Sequence, residues 1–225
     1  MPSVTRTIED VSVALVGNFN PAMFQPSVLS ANNLVRPDEA SKAEIGIIHS
    51  EACAYTIGWL FVEVTRERFQ GIATDIAHSE PLRDLLLSLF RTISPSQIAQ
   101  MGLNHRAHFQ FEDPKQLDGI FGRLTPTAKL PGLLKNPRAT RVTYTSDHES
   151  KLPSEFRSAL NVTIEPSLRT IPGVYIALNR HYEGPQLEKE EALPDYSKEF
   201  LGIVESNWSE YLKQSRELVE KLAGM

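Results

Sequence analysis

The chain has 225 residues, of which 41% are hydrophobic and 23% charged, with a formal net charge of −5. These values are those of a soluble globular protein long enough to bury most of its apolar surface without disulfides or metals. The acidic balance excludes a protein wholly devoted to nucleic acid, though not a local basic face, and a single cysteine, Cys53, excludes an intramolecular disulfide and a multi-cysteine zinc site.

A lone cysteine points to a reducing compartment. Cys53 reads as a small buried hydrophobe, with a reactive thiol as the alternative. The first ten residues lack the charged and apolar regions of a signal peptide. Residues 11–35 carry no charge, but Asn18, Asn20, Pro21, Gln25, Pro26, Asn32 and Asn33 interrupt them as no spanning helix tolerates. A cytoplasmic protein without membrane association is expected.

In chain order, residues 11–16 predict a strand, with Val11, Val13 and Leu15 on one face. Asn20 can cap a helix that has Pro21 at its first position, and Pro26 either leaves it short or restarts it as far as about residue 33. Residues 36–44 read as a charged loop. Strands follow at 45–49 and 52–57, then a hairpin, 59–65 and 69–74, around Arg66-Glu67-Arg68. Leu82, Leu85, Leu86, Leu89, Phe90 and Ile93 form one stripe of a helix over 80–93, with Ser79 as its cap and Ser94-Pro95 as its end. A strand over 100–111 sends Met101, Leu103, His105, Ala107, Phe109 and Phe111 one way. Gly102, Asn104, Arg106, His108 and Gln110 go the other way, toward water or a ligand. Residues 114–135 predict short helices broken by Pro126 and Pro131. Strands at 141–146, 157–164 and 173–182, an acidic loop over 183–195 and a helix over 196–222 complete the chain.

Runs of strands followed by a long amphipathic helix predict an α+β fold: a largely antiparallel sheet with helices packed on one face. The same grammar occurs twice, which raises two similar halves, 1–112 and 113–225, within a single compact domain. No sequence repeat joins them.

Val-Gly-Asn-Phe-Asn-Pro-Ala at 16–22, Val-Thr-Arg-Glu-Arg-Phe at 64–69, Glu-Pro-Leu-Arg-Asp-Leu at 80–85 and Met-Gly-Leu-Asn-His at 101–105 together carry a resemblance. The chain resembles, along most of its length, an uncharacterised family of bacterial proteins of similar size. In architecture it also looks like a sporadically distributed group from bacteria and mobile elements. Neither comes with an established activity, so the resemblance implies a bacterial cytoplasmic origin and assigns no residue a role.

No P-loop, dinucleotide-binding glycine pattern, HExxH, CxxC pair or G-x-S-x-G elbow is present, and no cofactor or metal is expected. Five scattered candidates remain. Arg106 and His108 share a strand face and suit an anion or acid-base chemistry. Asn179-Arg180-His181 ends a later strand and echoes Asn104-His105-Arg106. If the two strands are neighbours, Arg106, His108, Arg180 and His181 form a composite cleft; otherwise both are hydrogen-bonded sheet clusters. Residues 119–146 hold no acid but five cations, Arg123, Lys129, Lys135, Arg138 and Arg141. These fit phosphate contacts or a solvated basic surface. His49 and Glu51 form a His-x-Glu pair, and Trp208 and Tyr211 serve either the core or a homodimer contact. The leading expectation is a non-enzymatic binding or regulatory module with a protein partner. The alternatives are a nucleic-acid-associated protein using 119–146, and an enzyme or small-anion binder around His108 and His181.

Overall fold

The structure is a computed structural model that describes residues 4–92, 96–125, 134–135, 137–148, 150–185 and 193–225. Its strands are β1 (Val4–Asn18), β2 (Glu44–Ile48), β3 (Ala52–Ile57), β4 (Leu60–Thr65), β5 (Arg68–Ala73), β6 (Gln97–Phe111), β7 (Val142–Asp147), β8 (Arg157–Pro166) and β9 (Gly173–Glu183). They form one nine-stranded sheet in the order β2-β3-β4-β5-β1-β6-β9-β8-β7, and every pairing is antiparallel. The helices are α1 (Pro26–Ala31), α2 (Pro37–Ser41), α3 (Ser79–Thr92), α4 (Lys115–Leu124) and α5 (Ser197–Ala223). None of these is long and apolar enough to cross a membrane.

Local chemistry explains most boundaries. Asn20 Oδ1 accepts the Ala22 N–H at 3.2 Å and starts a short 3₁₀ turn at Pro21. Pro26 then opens α1. Residues 37–41 are helical rather than loop: Pro37 occupies the first position, and the Glu39 carboxylate accepts the Arg36 N–H at 3.1 Å. The cap before α3 is Asp75, whose side chain accepts the Ala77 N–H of a 3₁₀ turn that runs into Ser79. The expected breaks at Pro95, Pro126 and Pro131 lie outside the described residues.

β1 starts well before the expected residue 11. Residues 4–10 read Val-Thr-Arg-Thr-Ile-Glu-Asp, with no apolar alternation to mark a strand. They are extended because they pair with β6 from Phe111 back to Arg106, and their charges find partners there.

The apolar side of the sheet carries two clusters. One joins Val11, Val13, Leu15, Tyr55, Phe69, Leu82, Leu86, Phe200, Val204, Trp208 and Tyr211, among others. The second joins Ala107, Phe109, Phe111, Ile120, Phe121, Ile176, Val219 and Ala223, among others. Thus α3 and the first half of α5 feed one cluster, and α4 and the end of α5 feed the other. Trp208 and Tyr211 are each only 1% exposed, which makes them core residues.

Between the clusters lies a buried charge. The Glu9 side chain is 6% exposed and His105 is 0% exposed. His105 Nε2 lies 2.8 Å from Glu9 Oε1. Arg216 of α5 donates from Nε at 3.0 Å and from Nη2 at 3.2 Å, and Arg6 Nη1 donates at 3.2 Å. Burial pushes the Glu9 carboxyl up, but the His105 hydrogen bond and the Arg6, His105 and Arg216 charges together hold it below its ordinary value. This network ties α5 to the β1–β6 pair.

Candidate functional site on the polar sheet face

The other face of the sheet is lined by the residues between those of the clusters. Directly opposite one another across β1, β6, β9, β8 and β7 stand Ser12, Asn104, Asn179, Asn161 and Thr145. Their side chains form a chain of hydrogen bonds. Thr145 Oγ1 donates to Asn161 Oδ1 at 2.9 Å, Asn161 Nδ2 to Asn179 Oδ1 at 3.1 Å, and Asn179 Nδ2 to Asn104 Oδ1 at 2.7 Å. At Gly102 a Cβ would sit 2.8 Å from Asn179 Nδ2, so the glycine leaves room for that amide. The donor end of the chain is Asn104 Nδ2, whose bond among the described residues is a 3.5 Å contact with Gly102 O. Beside it Ser12 is 1% exposed, and its Oγ has no hydrogen-bond partner among the described residues. A groove of about 330 Å³ follows this row and is lined by Ser12, Arg68, Gln70, Asn104, Asn161 and Asn179.

Along β6 the row continues into a second hollow of about 400 Å³, lined by Asp10, Arg106, His108, Leu168, Arg169 and Tyr175. Arg106 Nε donates to Asp10 Oδ1 at 2.5 Å. His108 is 7% exposed, and its ring lies 4.8 Å from that of Tyr175. Ser167 Oγ accepts the N–H groups of Arg169 at 3.1 Å and Thr170 at 2.9 Å. Its own proton therefore points to His108 Nδ1, at 2.8 Å. Burial, reinforced by the Arg169 and Arg106 charges and opposed by Asp10, lowers the His108 pKa from 6.5. A neutral imidazole accepting from Ser167 anchors the β8–β9 loop. The loop it anchors exposes Leu168 at 92% and Ile171 at 78%.

The expected composite cleft divides. β6 and β9 are indeed neighbours, and Asn104 faces Asn179. Arg180, however, lies opposite Leu103 and points to the apolar face, where its guanidinium stands 5.1 Å from the Tyr211 ring centre and Nη2 donates to Gln214 at 2.6 Å. His181 lies opposite Gly102, six positions along the strand from His108, a separation of about 20 Å. Arg106 and His108 thus share one hollow, while Arg180 and His181 lie elsewhere.

The basic interval is spread out. Arg123, Lys135, Arg138 and Arg141 are exposed, and Arg141 stands 3.6 Å from the Glu165 carboxylate. Lys129 lies outside the described residues. In the β2–β3 turn, His49 Nδ1 accepts the Glu51 N–H at 3.3 Å while the Glu51 carboxylate binds Arg66. Cys53 is 0% exposed, and burial pushes its thiol up to about 11. Among the described residues no three His, Cys, Asp or Glu side chains gather as metal ligands.

Ser12, Arg68, Gln70, Asn161 and Thr145 were not legible as site residues. Their only sequence signal is polarity at alternate strand positions. No protein-family model matches the chain, and no curated protein matches it in sequence.

Proposed function

We propose that the protein is a non-enzymatic binding module of the bacterial cytoplasm that engages a protein partner through the polar face of its sheet. The observation that carries this reading is the hydrogen-bonded amide row along a groove, with the exposed Leu168 at the edge of the adjoining hollow and the exposed Ile171 in the same loop. Side-chain amides and Arg68 offer donors and acceptors suited to a partner's backbone, and the two apolar side chains supply burial. Polar groups around a few apolar anchors are the make-up of a transient protein interface.

The architecture supports the same reading. The helices pack on the apolar face, which leaves the polar face free of helices among the described residues. β1 pairs with β5, the last strand before α3, and β6 pairs with β9, the last strand before α5. Two halves of a single compact domain, 1–112 and 113–225, then meet at the β6–β9 pair, and the groove crosses that junction.

Capture from a bacterial lysate tests the reading by comparison. A protein retained by the natural chain should be lost with Asn104→Ala/Asn179→Ala and with Leu168→Asp/Ile171→Asp. It should be kept with Arg123→Ala/Arg138→Ala. Equal capture by all four chains refutes the use of this face. Loss only with the arginine pair, together with binding of duplex DNA or RNA that falls steeply with salt, moves the function to the basic segment and nucleic acid.

A further inference from the structure

The two ends of the sheet differ. At β7 the outermost strand reads Val-Thr-Tyr-Thr-Ser-Asp, a polar edge of the kind that discourages further pairing. At β2 the outermost strand reads Glu-Ile-Gly-Ile-Ile, and all five residues are exposed. Ile45 is 51% exposed, Ile47 47% and Ile48 43%. No strand among the described residues pairs with its outer side. Such an edge presents unpaired backbone groups and apolar side chains together, which natural sheets seldom leave bare.

We infer that β2 is a dimerisation edge, at which a second copy of the chain adds its own β2 in antiparallel register to join two sheets into one. The strand is complementary to itself in one register. A register shift between Ile45 and Ile47 puts a bulge at Gly46. Ile45 lies opposite Tyr55 and Ile48 opposite Cys53, so both isoleucines face the apolar side. Glu44, opposite Thr56, and His49, whose N–H bonds Ala52 O, face the polar side. Antiparallel pairing about a twofold axis perpendicular to the sheet requires facing residues to share a side. With the axis between Gly46 and Ile47, Ile45 meets the second copy's Ile48 and Glu44 meets its His49, each contact occurring twice. The charges match as well as the apolar groups. Because His49 Nδ1 accepts the Glu51 N–H, Nε2 carries the ring proton and can donate to a facing Glu44 carboxylate. The pairing is independent of the polar-face reading, and Trp208 and Tyr211, both buried, take no part in it.

Sedimentation equilibrium of the full chain over a wide concentration range is the test. The natural chain should form dimers, and Ile45→Lys/Ile48→Lys should raise the dissociation constant by about a hundredfold through lost burial and like-charge contact. Glu44→Lys should weaken the dimer, and Glu44→Lys/His49→Glu should restore it, which checks the register. Circular dichroism confirms that each variant is folded. A natural chain that stays monomeric throughout, or captures only unrelated strands, overturns the inference. A dimer untouched by Ile45→Lys/Ile48→Lys places the interface elsewhere and overturns it too.

Discussion

The two faces of β6 carry different work on one backbone. On the apolar face, Met101, Leu103, Ala107, Phe109 and Phe111 are each at most 3% exposed within the two clusters. On the polar face, Asn104 and Arg106 remain half-buried along hollows and bond to side chains of β1 and β9. Burial on one side secures the fold, and the other side carries the polar groove proposed for recognition. Glu9 and His105 complicate the contrast, since a charged network sits on the apolar face where the two clusters part. Its partners come from β1, β6 and α5, so it ties the long helix to the β1–β6 pair.

The largest effect expected from breaking this contrast is at Trp208. Trp208→Ala empties a site that is 1% exposed and packed beside Tyr211, and should cost about 4 kcal/mol of unfolding free energy in urea titration. Glu9→Ala should cost about 3 kcal/mol, the low end for a broken buried pair, because Arg6 and Arg216 can rehydrate once released; their side chains are 26% and 43% exposed. Thermal unfolding against pH should show the same carboxylate. Its folded pKa lies below the ordinary 4.5, so its stabilisation is present above that value and disappears as pH falls through the lowered one.

His108 should give a smaller and separate effect. Its folded pKa is lowered from 6.5, so the anchoring of the β8–β9 loop is present above 6.5 and lost as pH falls through the lowered value. Amide exchange at Arg169 and Thr170 should accelerate over that window, and His108→Gln should flatten the dependence. The smallest change in stability is expected from Asn104→Ala/Asn179→Ala, about 1 kcal/mol or less because these side chains are half-buried and water can replace their bonds. A loss much larger than this would place the amide row among the supports of the fold and weaken its role in recognition.

Much of the secondary structure was legible because its signals are local. The stripe Leu82, Leu86, Leu89 marked α3, the alternation from Met101 to Phe111 marked both faces of β6, and Asn20-Pro21 marked a cap. The opening of β1 was not legible, since Arg6, Glu9 and Asp10 look like tail residues until β6 and α5 supply their partners. Arg180 read as a site residue beside His181. Only the register of β9 with β6 shows where these two residues go, Arg180 toward Tyr211 and His181 opposite Gly102.

By itself the sequence determined which segments extend, which coil, and which side of each element is apolar. These depend on periodicity among neighbours and on single residues such as Pro21 and Pro26. Only the tertiary structure decided that Asn104 meets Asn179, 75 residues away, and Asn161 beyond it. It also decided that Glu9 is buried between two clusters and that β2 has no strand on its outer side among the described residues. Strand order and register arise from closing long loops around a shared core, and that balance of burial against chain entropy is written in no short stretch of residues.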